Sequence, residues 1–246
     1  MRILLTSLVF IFLSCSPSKK DLSAQEIVDA SMLASGTDKV LRATIDFSFR
    51  DKNYKAFRNR GAFKLERSFK EGNEQITDVL TNDGFTRFLN TAPAKIQDTM
   101  ATKYSSSVNS VHYFSVLPNG LNDAAVRKKR LEDQIIFGKD YYTIQISFSE
   151  DGGGEDFEDV FVYWISKENF LIDYLAYSFH VNGGGVRFRQ ATNERFIEGI
   201  RFVDYNNLKK ENAFTSLENL AKAFEKGELE KLSEINLENI HVNLIP

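Results

Sequence analysis

The chain of 246 residues has one cysteine, Cys15, and four prolines, and it has no apolar run of full membrane length. A single thiol excludes a disulfide scaffold, so a folded body must rest on its apolar core alone. So few prolines, without a Gly-x-y period, exclude collagen-like and proline-rich linker chains. Charge of either sign is also without excess: 31 basic residues stand against 34 acidic ones, leaving a formal net charge of −3. That balance gives no electrostatic footprint for a nucleic acid. Gly-x-Ser-x-Gly, His-Glu-x-x-His and Walker sequences are missing, and His112 and His241 have no partner at metal-ligand spacing. No metal and no cofactor is expected. Aromatic residues are what the chain has in quantity: 21 Phe and nine Tyr. Enrichment of that kind favours sheet over helix.

The N-terminus carries an address. Met1-Arg2 precedes the mostly apolar stretch Ile3–Leu13, which ends in Ser14-Cys15 and the polar Ser16–Asp21. A basic start, a short apolar stretch and a small-residue junction describe a signal peptide rather than a membrane span. The run ending in Leu-Ser-Cys resembles the lipobox of bacterial lipoproteins. This resemblance implies a signal peptide over residues 1–14, acylation of Cys15 and a tether over 15–23, leaving a single domain at 24–246. A secretory peptide or an uncleaved anchor is the alternative. Two or more acyl chains would hold the protein stably on a membrane. The implied location is the outer membrane of a Gram-negative envelope, facing the periplasm, because Ser16–Lys20 lacks the acidic residues that direct surface export in related bacteria.

From residue 24 the chain changes period. Ile27, Ala30 and Ala34 have helical spacing, with Ser23 placed to cap and Gly36 to terminate. Leu41, Ala43, Ile45, Phe47 and Phe49 then alternate with polar residues, which is the pattern of a half-buried strand. Turn signals at Asp51–Asn53, Glu71–Asn73 and Asn82–Gly84 separate this strand from three more. Alternation stops at Pro93, and residues 94–114 suggest one or two helices. Six strands follow between 128 and 207. Thr215–Glu218 opens a last helix with an apolar stripe of Leu217, Leu220, Ala221 and Phe224, and Ile240, Val242 and Leu244 mark a final edge strand. Val160–Ile165 is apolar on both faces, so that strand must be covered on both. The expected fold is mainly β (α+β). It is a single strongly curved antiparallel sheet, an unclosed half-barrel of ten or eleven strands, with an N-terminal helix, a helical insertion and a C-terminal helix.

That element order resembles the lipoprotein-carrier (LolA- and LolB-like) fold, as does the hairpin Val162–Ile172 with its charged corner Ser166–Asn169. Phe179–Arg189, Gly199–Tyr205 and Arg50–Tyr54 with Arg58, Gly61 and Arg67 are similar to an uncharacterised lipoprotein family of the Bacteroides–Flavobacterium group. The resemblance implies a curved half-barrel and no catalytic residue.

The best candidate site is the hairpin around Asn182–Gly185. With a four-residue loop, His180 faces Arg187 and Ser178 faces Arg189 across the strands, with Asp204 or Arg201 within reach from the next strand. A histidine among arginines suits an anion or a carboxylate, and equally a satisfied polar network. Beside it the expectation places an apolar interior containing Trp164 and Phe188. The acidic stretch Glu150–Asp159 has calcium-like density without EF-hand spacing and reads as a solvated loop. Arg127–Arg130 suits anionic head groups or the polar start of a strand.

The functional expectation is a non-catalytic envelope lipoprotein whose concave sheet binds an acyl chain or another hydrophobic or amphipathic ligand. Its alternative is an interaction or scaffold protein with a self-plugged barrel and an envelope protein as partner. An enzyme using His180 with Asp204 is a third reading without a motif behind it.

Overall fold

The computed structural model describes residues 21–152, 157–179, 184–210 and 216–246. Helix α1 (Ala24–Ala34) begins at a capping box: the Glu26 N–H donates to Ser23 Oγ at 3.2 Å and the Ser23 N–H to Glu26 Oε2 at 2.9 Å. The two bonds satisfy donors that the first turn leaves unpaired. Gly36 follows at φ +69°, and a Cβ there would run into the Gly199 carbonyl oxygen, so only glycine fits the approach. A single turn, α2 (Thr37–Val40), leads into the first sheet.

Six strands meander antiparallel: β1 (Arg42–Phe49), β2 (Lys52–Asn59), β3 (Ala62–Glu71), β4 (Glu74–Thr81), β5 (Gly84–Leu89) and β6 (Ala92–Pro93). The insertion after them is one helix, α3 (Asp98–Ser115), of 18 residues. Then come β7 (Val126–Arg130), β8 (Gln134–Ile136), β9 (Lys139–Phe148), β10 (Val160–Ser166), β11 (Ile172–Phe179), β12 (Gly185–Ile197) and β13 (Ile200–Lys209). A 3-10 turn at Leu217–Asn219 runs into α4 (Leu220–Glu225), and β14 (Glu230–Ile235) and β15 (Glu238–Leu244) end the fold.

The expected single sheet of ten or eleven strands is corrected to two. Seven strands pair in the order β15-β1-β2-β3-β4-β5-β6, and eight form the second sheet, β14-β13-β12-β11-β10-β9-β7 with β8 on β9. The division falls at Asn236-Leu237, where the chain leaves β14 in one sheet and joins β1 of the other as β15. Asp204 holds this crossing. Its carboxylate accepts from the Leu237 N–H at 2.8 Å, from Arg195 Nη2 at 2.9 Å and from Asn193 Nδ2 at 2.6 Å, while Arg195 Nη2 also donates to the Leu237 carbonyl at 2.6 Å.

Each sheet buries what its alternation promises. Ala43, Ile45, Phe47, Tyr54, Ala56 and Leu65 form the covered face of the first sheet, with Val108 of α3 packed on it. The second sheet is covered twice, which explains the two-sided apolar strand β10. One face, with Ile144, Ile146, Tyr163, Ile165 and Leu175, packs on Ile27 and Val28 of α1 and on Leu117 and Leu121. The other, with Val162, Trp164, Ala176 and Phe188, is roofed by Leu220, Ala221 and Phe224 of α4. Phe188 lies 5.6 Å from Trp164 and 5.1 Å from Phe224, centroid to centroid. Each such pair adds about 0.5–1.5 kcal/mol beyond burial. Among the described residues no helix is long and apolar enough to cross a membrane.

Candidate functional site

Helix α3 stands on the first sheet but does not seal the inner face of the second. Between them runs a cleft of about 1400 Å³. One wall is aromatic: Phe114 from α3, with Phe148, Phe161, Tyr177 and Phe179 from β9, β10 and β11. These rings touch one another, Phe161 stacking on Tyr177 at 5.3 Å and Phe114 tilting against Tyr177 at 5.5 Å. The facing side of α3 is small and polar, with Ser105, Ser106, Ser107, Asn109 and Ser110 along the cleft. Side chains of this size leave the space open. Next to this wall the hydroxyl of Tyr113, which also lines the cleft, meets that of Tyr163 at 3.0 Å. Burial pushes the Tyr113 phenol up to about 12, against the opposing bond to Tyr163, and burial pushes Tyr163 up as well. Both remain protonated at neutral pH.

Arg187 and Arg189, adjacent same-face positions of β12, line the cleft. Arg187 is half-buried, lies 4.8 Å over the Phe179 ring and donates from Nη1 to the Val186 carbonyl at 2.8 Å. Arg189 is deeper, 9% exposed. Its guanidinium sits 3.8 Å from the Phe114 ring centre and 5.1 Å from that of Tyr177, and Nη2 donates to Tyr177 Oη at 2.9 Å. Its Nε is sealed from solvent and has no acceptor among the described residues.

The rest of the expected constellation is not assembled. Cys15 and His180 lie outside the described residues, as do residues 153–156 of the acidic stretch. The expected pairing of His180 with Arg187 and of Ser178 with Arg189 is corrected by the register: Tyr177 is opposite Arg187, Leu175 opposite Arg189, and Ser178 opposite Val186. The connection is longer than a four-residue loop. A slip by an odd number of residues turns every side chain to the other face, so Tyr177 rather than Ser178 joins the arginines. Trp164 and Phe188 are likewise corrected. They belong to the opposite face, under α4, and Trp164 Nε1 donates to Gln134 Oε1 at 3.1 Å. Phe188 stands between two cleft-facing arginines, and strand alternation alone sends it the other way. Asp204, between the cleft-lining Val203 and Tyr205, is committed to the crossing at Leu237. Arg201 donates from Nε to Glu194 at 2.6 Å. Arg127–Arg130 do fall in a strand, β7, paired with β9.

One charged group escaped the sequence reading. On the covered face of the first sheet, Asp78 is opposite Arg67 on one side and Arg87 on the other. Arg67 Nη2 and Arg87 Nε each reach an Asp78 oxygen at 2.6 Å. The arginines also hold α3: Arg67 Nη1 donates to Ser107 Oγ at 2.7 Å, and the Arg87 guanidinium lies 3.5 Å over the Tyr104 ring. The turns at Glu71–Asn73 and Asn82–Gly84 set both registers, so counting back from them would have brought the three residues together.

A model of one protein family, described as a family of unknown function (DUF6503), matches residues 2–237. No curated protein matches the sequence. Among solved structures, the chain is similar to an outer membrane lipoprotein-sorting protein domain from Vibrio parahaemolyticus, with a TM-score of 0.46 and 10% identity, covering 89% of this chain and 93% of that one. It is similar to a DUF1329 family protein from Desulfovibrio piger, with a TM-score of 0.44 and 10% identity over 89% and 92% of the two chains. For lipoprotein LppX of Mycobacterium tuberculosis the TM-score is 0.29 and the identity 11%, over 66% of this chain and 91% of that one.

Proposed function

The chain belongs to the DUF6503 family, of unknown function, and from its own geometry we propose that it is a non-catalytic envelope lipoprotein that holds an acyl chain or another apolar or amphipathic ligand in the cleft beside α3. The observation that carries this reading is the aromatic wall. Five rings face a space of about 1400 Å³, larger than the roughly 300–1000 Å³ of a usual small-molecule pocket. Water against such a wall is unfavourable by about 25 cal/mol for each Å² of apolar surface, so hydrocarbon entering the cleft gains what solvent loses. The size suits a long chain rather than a compact metabolite.

A second reading, an interaction protein with a self-plugged barrel, has one observation in its favour: Val108 and His112 of α3 are buried on the first sheet, so the chain fills that half itself. The second sheet keeps its cleft. Catalysis by His180 with Asp204 has less support, since the Asp204 oxygens already accept from Asn193, Arg195 and Leu237.

The reading is tested with N-phenylnaphthylamine, an apolar probe that fluoresces when it leaves water. Ser110→Trp on the exposed polar side of α3 fills the cleft without touching the sheet core. It is expected to weaken probe binding on the order of tenfold or more while the melting temperature stays within a few degrees. Equal binding by the variant, or none by the wild type, removes the cleft as a ligand site and leaves the interaction reading.

Anchoring is a separate part of the proposal, resting on the apolar stretch before Cys15, with the outer membrane and a periplasm-facing body as the proposed location. Cys15→Ser is expected to release the protein into the soluble periplasmic fraction or to leave an uncleaved precursor. A variant that fractionates with the membrane at wild-type mass removes the lipid anchor from the reading.

A further inference from the structure

Three arginines of the described residues are nine-tenths or more buried: Arg67, Arg189 and Arg201. Two of them are ion-paired with a carboxylate, Arg67 with Asp78 and Arg201 with Glu194. Arg189 is not. Among the described residues no carboxylate forms an ion pair with it, and its Nε–H has no acceptor of any kind. Arginine stays charged at any pH a protein survives, so the site cannot relax by losing a proton. A desolvated guanidinium without a counter-charge is among the most unfavourable groups a fold can carry.

The aromatic faces of Phe114, Tyr177 and Tyr205 around the guanidinium offset part of this. Ring faces supply attraction without supplying acceptors, and one hydroxyl, Tyr177 Oη, takes a single N–H. The charge therefore remains while the side chain forms part of the cleft wall. The whole cleft has the same bias. Among the described residues, Arg50, Lys103, Arg187 and Arg189 line it against one carboxylate, Asp159. Arg187 stands two residues from Arg189 on the same face, half-buried, donating to the carbonyl of its neighbour Val186 and lying over the Phe179 ring.

We propose that Arg189, with Arg187 beside it, binds an oxyanion head group, carboxylate or phosphate, of an amphiphile whose chain lies along Phe114, Phe161 and Tyr177. The proposal rests on the cleft reading above and narrows its ligand to anionic amphiphiles. A planar guanidinium pairs with either oxyanion through two parallel N–H···O bonds, and a low-dielectric wall strengthens them. A neutral head of equal chain length offers no such compensation and leaves the charge as it was.

The test compares three ligands of one chain length: decanoate, decyl phosphate and decanol. Each displaces N-phenylnaphthylamine from the full chain carrying Cys15→Ser, which alters no described residue. The anionic ligands are expected to bind about ten- to a hundredfold more tightly than decanol, the range expected for hydrogen bonds to a charged group. Arg189→Met should erase that gap while leaving decanol binding unchanged. Whichever anion binds more tightly identifies the head as carboxylate or phosphate. A structural role for Arg189 predicts that Arg189→Met lowers the ligand-free melting temperature; removal of an uncompensated charge predicts that it stays or rises. If Arg189→Met does not fold, the structural role is established for Arg189 and the proposal fails there, unless Arg187→Met narrows the same gap. Decanol binding as tightly as the anions overturns the head-group assignment and leaves the cleft reading intact. Displacement by none of the three, with no probe bound, overturns both.

Discussion

Asp78→Ala is expected to destabilise the fold by about 3–5 kcal/mol, the range for removing one partner of a buried ion pair. Few single changes in the described residues should cost as much. Asp78 is fully buried, and both its neighbours across the strands are arginines that reach it at 2.6 Å. The triad already carries one positive charge in excess, and the hydrogen bonds that Arg87 donates to Asp78 hold its guanidinium above its ordinary pKa against the effect of burial. Without the carboxylate, two guanidinium groups face each other under α3, with Ser107 Oγ and the Tyr104 and Phe69 rings beside them and no counter-charge among their described contacts. Arg87→Met is expected to be far milder, because it leaves a neutral Arg67–Asp78 pair. Urea unfolding of the two variants orders them, and hydrogen exchange should show α3 opening first in Asp78→Ala. A loss below about 1 kcal/mol for that variant would mean that water reaches the triad and the pair is an exposed one.

The same triad shows what the residue pattern could and could not reveal. Alternation from Leu41 to Arg50 marks β1, and hairpin turns at Glu71–Asn73 and Asn82–Gly84 set the registers of β3, β4 and β5, because tight turns leave no freedom in pairing. The Ser23 cap and the stripe Leu217, Leu220, Ala221 and Phe224 mark α1 and α4 for equally local reasons. The number of sheets is not local. A strand's sequence records which of its faces is buried and not which neighbour it pairs with, so the division at Asn236-Leu237 leaves no trace in period. β14 reads Glu-Lys-Leu-Ser-Glu-Ile, too polar to announce itself, and it is largely exposed.

The candidate site was legible to the same depth. Arg187 and Arg189 share a face by simple alternation, and they line the cleft. The residues opposite them depend on the length of a glycine-rich connection, whose backbone freedom carries no register information. For that reason Tyr177 replaces Ser178, whereas Phe188 falls under α4 by alternation alone, since it stands between the two arginines. That Phe114 of α3, and no carboxylate among the described residues, meets Arg189 is a tertiary fact.

The second large effect is acid sensitivity centred on His112. Its ring is 1% exposed beneath α3, edge-on to Phe47 and Tyr54, and Nε2 lies 3.0 Å from the Glu66 carbonyl. A carbonyl only accepts, so Nε2 carries the proton of the neutral ring and Nε2–H donates. Burial pushes the imidazole down to about 3, with the charges of Arg58 and Arg67 acting in the same direction and the Glu66 bond opposing. The unfolded chain takes up this proton near pH 6.5, whereas the folded chain refuses it until about 3. Between those values the unfolded state binds one more proton, so stability is full above about pH 6.5 and falls as the medium is acidified. The slope from this one group is about 1.4 kcal/mol per pH unit. His112→Gln keeps an N–H donor for Glu66 and cannot be protonated. Its unfolding free energy, measured in urea at pH 6.5, 5.5 and 4.5, is expected to decline less steeply than that of the wild type by that slope, since the carboxylates titrate alike in both and cancel. Parallel declines would mean that His112 is protonated in the folded protein, and that α3 does not exclude water from the ring.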